Sequence, residues 1–161
     1  MEFEVDVSGE DLLSKNYTIC IANKDDLIKG FKFDEELISI LSSRYGQGLY
    51  KYQISQKGKA TFKVRIYCIV VYYLIKSLDV KSIYLTLCRD FDGWEKEIKE
   101  TLISFFKKED RVDVIKEIYF KKLPKESNAH KYAYLMRADN KNKMNGYIRM
   151  NLEDITRWLK K

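Results

Sequence analysis

Two residues of this 161-residue chain combine a reactive type with a telling position, Asp90 and His130. Asp90 follows the run Ser82-Ile83-Tyr84-Leu85-Thr86-Leu87-Cys88, which is apolar on both alternating faces, as a central strand covered by helices on both sides would be. A carboxylate just past the carboxyl end of such a strand stands where open α/β sheets bind their ligands, so Asp90 is the first place to look for chemistry. His130 is the only histidine, and its imidazole changes charge closer to neutral pH than any other unperturbed side chain. It lies at the start of a helix just after a strand and beside basic residues, where it reads either as an ordinary surface histidine or as a proton carrier. A third group is built for contact rather than reaction. Tyr50 and Tyr52 alternate with Lys51 and precede Lys57, Lys59, Lys63 and Arg65, and aromatic faces mixed with cations are what stacking on bases and neutralising phosphates require. Tyrosine is also a good strand residue, which is the plainer reading of the same pattern.

Other chemistries lack their residues. Cys20, Cys68 and Cys88 each sit inside an apolar run and none pairs at metal or redox-motif spacing, so they read as small hydrophobes in a reducing compartment. Gly46-Gln47-Gly48 has neither the spacing nor the lysine of a phosphate loop and reads as a helix end and turn. No nucleophile elbow is present.

The elements that must position these residues are organised around the stretch from Lys59 to Asp90. Its centre, Ile66 to Ile75, is apolar apart from tyrosine hydroxyls and one thiol, and no Gly or Pro interrupts Ala60 to Ser77. That length predicts a buried helix sandwiched inside the fold. It is too short for a bilayer, and Lys63, Arg65 and Lys76 flank it closely. Upstream, residues 1–15 alternate weakly and read as an edge strand or a loose arm, Asn16 to Ala22 as the first firm strand, and Leu27 to Phe33 as a second. Asp34 is placed to cap a helix over Glu35 to Leu41, and Leu49 to Ser55 alternates like a half-exposed strand. Downstream, Asp92 with Glu95 matches a capping box for a helix from Gly93 to about Lys107. Ile118 to Phe120 reads as a strand, and Ser127 or Asn128 as the cap of a helix over Ala129 to Ala138. Residues 139–161 form a C-terminal extension, in which Gly146 to Met150 reads as an edge strand and Asn151 with Asp154 caps a last helix.

Composition sets the frame. One proline, no repeat and no linker point to one α/β domain over 1–161, with a mixed central sheet and helices on both faces. Residues 1–50 carry five Lys/Arg against ten Asp/Glu, residues 51–90 eight against two, and residues 91–161 seventeen against twelve. Such asymmetry suggests a polyanion partner on one side of the molecule, although genome bias or adaptation to heat produces similar compositions. The acidic start, MEFEVDVSGED, has no secretory character, so the expected location is cytoplasmic, with no membrane partner.

Two passages, YLTLCRDFDGWEKEIKETL and IYFKKLPKESNAHKYA, make the order of elements resemble the ribonuclease H-like fold, the scaffold of hybrid nucleases, resolvases and transposases. The first looks like that family's central strand, carboxylate and following helix, the second like its last strand, loop and final helix, and the likeness spans about residues 16 to 138. It implies carboxylates that hold two divalent metals, Mg or Mn, across a scissile phosphate. Carried over, Asp90 matches the aspartate ending the central strand. The first-strand aspartate falls near Asn23, with Asp25 available if the strand runs further. The long helix offers Lys63, Arg65 and Tyr67 where the family has a glutamate, and the final helix opens with His130, leaving Glu126 or Asp139 as the last acid. The resemblance therefore implies a protein associated with DNA or RNA whose nuclease chemistry is degenerate or absent, with Lys57, Lys59, Lys63 and Arg65 on phosphates and Tyr50 or Tyr52 as a stacking face. The alternatives are an active two-metal nuclease with Asp90, Asp25 and Glu126 or Asp139 as ligands and His130 in proton transfer or product release, and a non-catalytic module that binds a protein partner or a second copy.

Overall fold

Glu2–Ser8 (β1), Thr18–Ala22 (β2) and Ile28–Lys32 (β3) open the chain as an antiparallel meander. Glu35–Gly46 (α1) and Gln56–Ser77 (α2) lead into Ile83–Leu87 (β4), which is followed by Glu95–Lys108 (α3), Ile115–Phe120 (β5), Asn128–Ala138 (α4) and Leu152–Thr156 (α5). These elements come from a computed structural model, which describes residues 1–159. The five strands make one mixed sheet in the order β3-β2-β1-β4-β5, with β1 antiparallel to β2 and parallel to β4, and β4 parallel to β5. The α/β class expected from the sequence is present.

The acidic amino terminus is the middle of the sheet, neither an arm nor an edge strand. Its alternation explains why. Phe3 and Val5 are buried in the main core together with α2, while Glu4 and Asp6 face the other way, toward α4. A strand covered on both faces can hold a central place only if its polar residues find partners, and α4 brings those partners.

Helix α2 is the sandwiched helix the apolar run predicts. Ser55 caps it by accepting from the Gly58 amide at 3.0 Å, and Phe62, Ile66, Ile69, Val70 and Leu74 are among its fully buried residues. It packs on β2 and β3 on one side and on α3 and α5 on the others. Helix α4 lies on the opposite face of the sheet, over β1, β2 and β3. The residues beneath it are small: Cys20 meets Ala133 and Met136, Ala22 meets Ala129 and Leu123, and a Cβ on Gly30 would run into the Met136 sulfur.

Four local expectations change. Helix α4 stops short of β4 and β5, so β4 is buried on one face only and Tyr84 and Tyr119 stand 46% and 50% exposed on the other. Leu49 to Ser55 is a loop whose rings turn inward: Tyr50 stacks on Phe62, as Tyr45 of α1 does, and Tyr52 tilts against the same ring. Asp92 does not cap α3, whose N-cap position is Trp94 with no side-chain hydrogen bond. Gly146 to Met150 adds a single parallel bridge, Gly30 to Tyr147, rather than a strand. The caps at Asp34, Ser127 and Asn151 form as expected, the last as a full capping box. Among the described residues no helix is long and apolar enough to cross a membrane.

Candidate functional site

Register builds the site. Val5 pairs with Leu87 across the parallel β1 and β4, and the Cys88 amide donates to the Val5 carbonyl at 2.9 Å. Asp6, Cys88 and Asp90 therefore gather where the parallel strands end, and a carboxylate oxygen of each aspartate and the Cys88 sulfur all lie within 4.8 Å of one another. Helix α4 closes one side. Ser127, its cap, donates to Glu4 Oε1 at 2.9 Å, and one turn later His130 Nδ1 meets Asp6 Oδ2 at 2.8 Å. The two-residue step from Glu4 to Asp6 in the strand is matched by the three-residue step from Ser127 to His130 in the helix. Asp6, Cys88, Asp90 and His130 line a cleft of about 480 Å³ together with the exposed Arg89, Asp92 and Lys122.

The two aspartates are held differently. Asp6 is 3% exposed, and its other oxygen accepts from the Val7 amide at 2.8 Å, so each oxygen of this buried carboxylate has a hydrogen-bond partner. Asp90 is exposed as a residue, but its carboxyl faces the cleft. Partial burial first, and then the nearby Asp6 and Asp92 charges, raise its pKa to about 6 against the opposing pull of the Cys88 thiol and His130. Burial also lifts the Cys88 thiol to about 12, so it sits there as a neutral SH. Two carboxylates and a protonated thiol make an oxygen-donor site, which suits a hard cation such as Mg²⁺ or Mn²⁺ better than a thiolate-seeking metal.

Of the residues the sequence nominated, Asp90 and His130 come together and the other acids do not. Asp25 lies in the β2–β3 turn, beyond the Glu4–Ala22 pair toward the amino end of β1, where its amide donates to Asn23 Oδ1 at 3.0 Å. Glu126 is exposed in the loop before α4. Asp139 is at the far end of α4 from His130, where it accepts from the amides of Lys143 and Met144 and the hydroxyl of Tyr147 and orders the following turn. The acid that the structure brings beside Asp90 is Asp6 rather than Asp25, Glu126 or Asp139, because the first strand is Glu2–Ser8 rather than Asn16 to Ala22.

The contact residues divide as well. Lys57 and Lys59 are exposed on the first turns of α2. Lys63 pairs with Asp11 at 2.8 Å; partial burial would raise the Asp11 carboxyl, but the bond and charge of Lys63 hold it below its usual value. Arg65 turns inward, its Nε donating to the Trp158 carbonyl at 2.8 Å and its guanidinium lying 4.7 Å from the centre of the Phe105 ring. Tyr50 is buried, so it offers no stacking face. Sequence reasoning missed Asp6 because, next to Glu2 and Glu4, it reads as the solvent side of a strand. Its signal was the alternation of Phe3, Val5 and Val7, which sets Asp6 out of phase with the apolar face.

Compared with known proteins, the chain matches no family model, no curated protein and no solved structure. The geometry of the cleft therefore carries the functional reading.

Proposed function

We propose that this chain is a divalent-metal-dependent nuclease on a ribonuclease H-like scaffold, with Asp6 and Asp90 as metal ligands. The observation that carries this reading is the convergence of those two carboxylates, one on the middle strand and one past its parallel neighbour, at the carboxyl end of the sheet. On this reading Asp6 would take the first-strand aspartate position of the resemblance, in place of Asn23 or Asp25. A bound Mg²⁺ or Mn²⁺ would supply charge neutralisation at a phosphate and activation of water.

The chain's own residues account for the rest. Asp6 orients His130: with Nδ1–H donated to Oδ2, the lone pair is on Nε2, and the histidine side chain is half exposed to the cleft, as a group that takes up a proton should be. Arg89 and Lys122, both exposed and both lining the cleft, offer positive charge to a phosphodiester backbone.

A second reading, binding without cleavage, is favoured by α2. No acid occurs from Lys51 to Leu78, so the helix contributes lysines where the resemblance calls for a glutamate. Both readings are tested by incubating labelled hybrid duplex, single strands and branched DNA with Mg²⁺ or Mn²⁺ and wild type, Asp6→Asn or Asp90→Asn. Metal-dependent cutting lost in both variants is the expected result. Binding of nucleic acid with no cutting by wild type would leave the second reading, and cutting that persists in both variants would rule out this site.

A further inference from the structure

The turn that carries Asp90 also carries two aromatic rings. Phe91 is tilted against Tyr67 with ring centres 4.8 Å apart, and both Phe91 and Trp94 are only half-buried at the edge of the main core. Gly93 reverses the chain at φ +86, and the Trp94 amide donates to the Phe91 carbonyl at 3.1 Å, which brings both rings to the α2 side. With Ala60 and Val64 of α2 they line a recess of about 260 Å³, to which α2 also contributes the exposed Lys59 and the half-buried Lys63, the latter paired with Asp11. No acid lines it among the described residues.

Flat apolar walls beside the exposed Lys59 fit a heterocyclic ring that carries an anionic tail. We propose that this recess receives an unpaired nucleobase of the strand whose phosphate lies at Asp6 and Asp90, so that the protein acts on single-stranded or locally opened nucleic acid. The inference rests on the nuclease reading for the position of the phosphate and adds the form of the substrate. Asp90 lines the cleft and Phe91, the next residue, lines the recess, with Cα atoms about 3.8 Å apart, so one turn joins the two and a strand crossing that turn would reach both. A base seated between Trp94 and α2 is turned away from any pairing partner. Stacking on aromatic rings tolerates every base, so the recess selects for strandedness rather than sequence. It also gives the stacking role to Trp94 and Phe91 in place of the buried Tyr50. The rings of Phe62 and Phe105, which serve only the core, are fully buried by contrast.

The test is binding of a labelled oligothymidylate, of an abasic oligomer of the same length and charge, and of duplex, all in an Asp90→Asn background that prevents cutting. An oligouridylate arm separates DNA from RNA. Oligothymidylate is expected to bind at least about tenfold more tightly than the abasic oligomer, from the typical strength of one base–aromatic stack. Trp94→Leu and, independently, Ala60→Leu are expected to abolish that difference. Ala60→Leu fills the recess without removing a ring, so it decides the matter if Trp94→Leu fails to fold. Equal affinity for the abasic oligomer, undiminished preference in Ala60→Leu, or duplex bound as tightly as single strand would each overturn the inference. The nuclease reading fails separately, by the absence of metal-dependent cutting.

Discussion

Asp6 and His130 are 124 positions apart in the chain and 2.8 Å apart in space, joined where the middle strand passes under the first turn of α4. One contact ties the only histidine to the most buried carboxylate of the sheet, so the amino-terminal strand and the last long helix define the cleft together.

That contact sets a first expectation. Asp6→Ala leaves the part-buried Val7 amide without its acceptor, whereas Asp6→Asn keeps one acceptor oxygen in nearly the same volume. Urea unfolding should find the alanine variant less stable than the asparagine variant by about 1–2 kcal/mol. Equal stabilities would mean that the carboxylate is not the amide's partner.

Asp90 should act in the opposite direction. Its pKa is raised to about 6 in the folded protein from 3.8, so the folded state holds its proton to higher pH than the unfolded chain does. Stability conferred by the protonated form is present below about pH 4, falls as pH rises through 6, and is absent above that. Asp90→Asn should therefore increase stability at pH 7–8 by about 1 kcal/mol once solvent screening of an exposed residue is allowed for, read as a raised thermal midpoint, and should match wild type near pH 4. A variant less stable than wild type at pH 8 would contradict this.

Glu109 shows the usual carboxylate case. Burial opposes its ionisation, but the nearby Tyr72 hydroxyl and the paired Lys76 ammonium hold its pKa below 4.5. Its contribution is present above that value and lost as pH falls through the lowered folded pKa. Glu109→Gln should cost under about 1 kcal/mol at pH 7 and nothing in strong acid, as read from paired denaturation curves.

The cations of α2 should separate by role. Lys59→Ala is expected to weaken nucleic-acid binding and to reduce the slope of log affinity against log salt by about 1, as loss of one phosphate contact does. Arg65→Ala should leave that slope unchanged and lower the thermal midpoint, because Arg65 joins α2 to the Trp158 carbonyl and the Phe105 ring. A changed slope in Arg65→Ala would return it to the binding surface.

Gly58 is the test of the 49–55 loop. A Cβ there would overlap the Gln53 carbonyl oxygen, which also accepts from the Tyr45 hydroxyl at 2.6 Å. Gly58→Ala should destabilise by about 1–3 kcal/mol, as overpacking against backbone does, despite the better helix propensity of alanine. A neutral or stabilising effect in thermal unfolding would show that the loop yields.

The sequence by itself determined the α/β class, the buried helix around Ile66 to Ile75, the strand that ends before Asp90, and the helix starts at Asp34, Ser127 and Asn151. Each of these depends on hydrophobic period or on a cap that acts within one turn, and such signals are complete in a short window of chain. It also marked Asp90 and His130, because a strand end and a helix start are local features. Only the tertiary structure decided that Glu2–Ser8 is the middle strand, that Asp6 is the second carboxylate, that Tyr50 and Arg65 turn inward, and that α4 leaves Tyr84 and Tyr119 bare. The physical reason is that whether a polar residue on an alternating strand meets water or a partner depends on what packs across it. For Asp6 that partner comes from a helix at the other end of the chain.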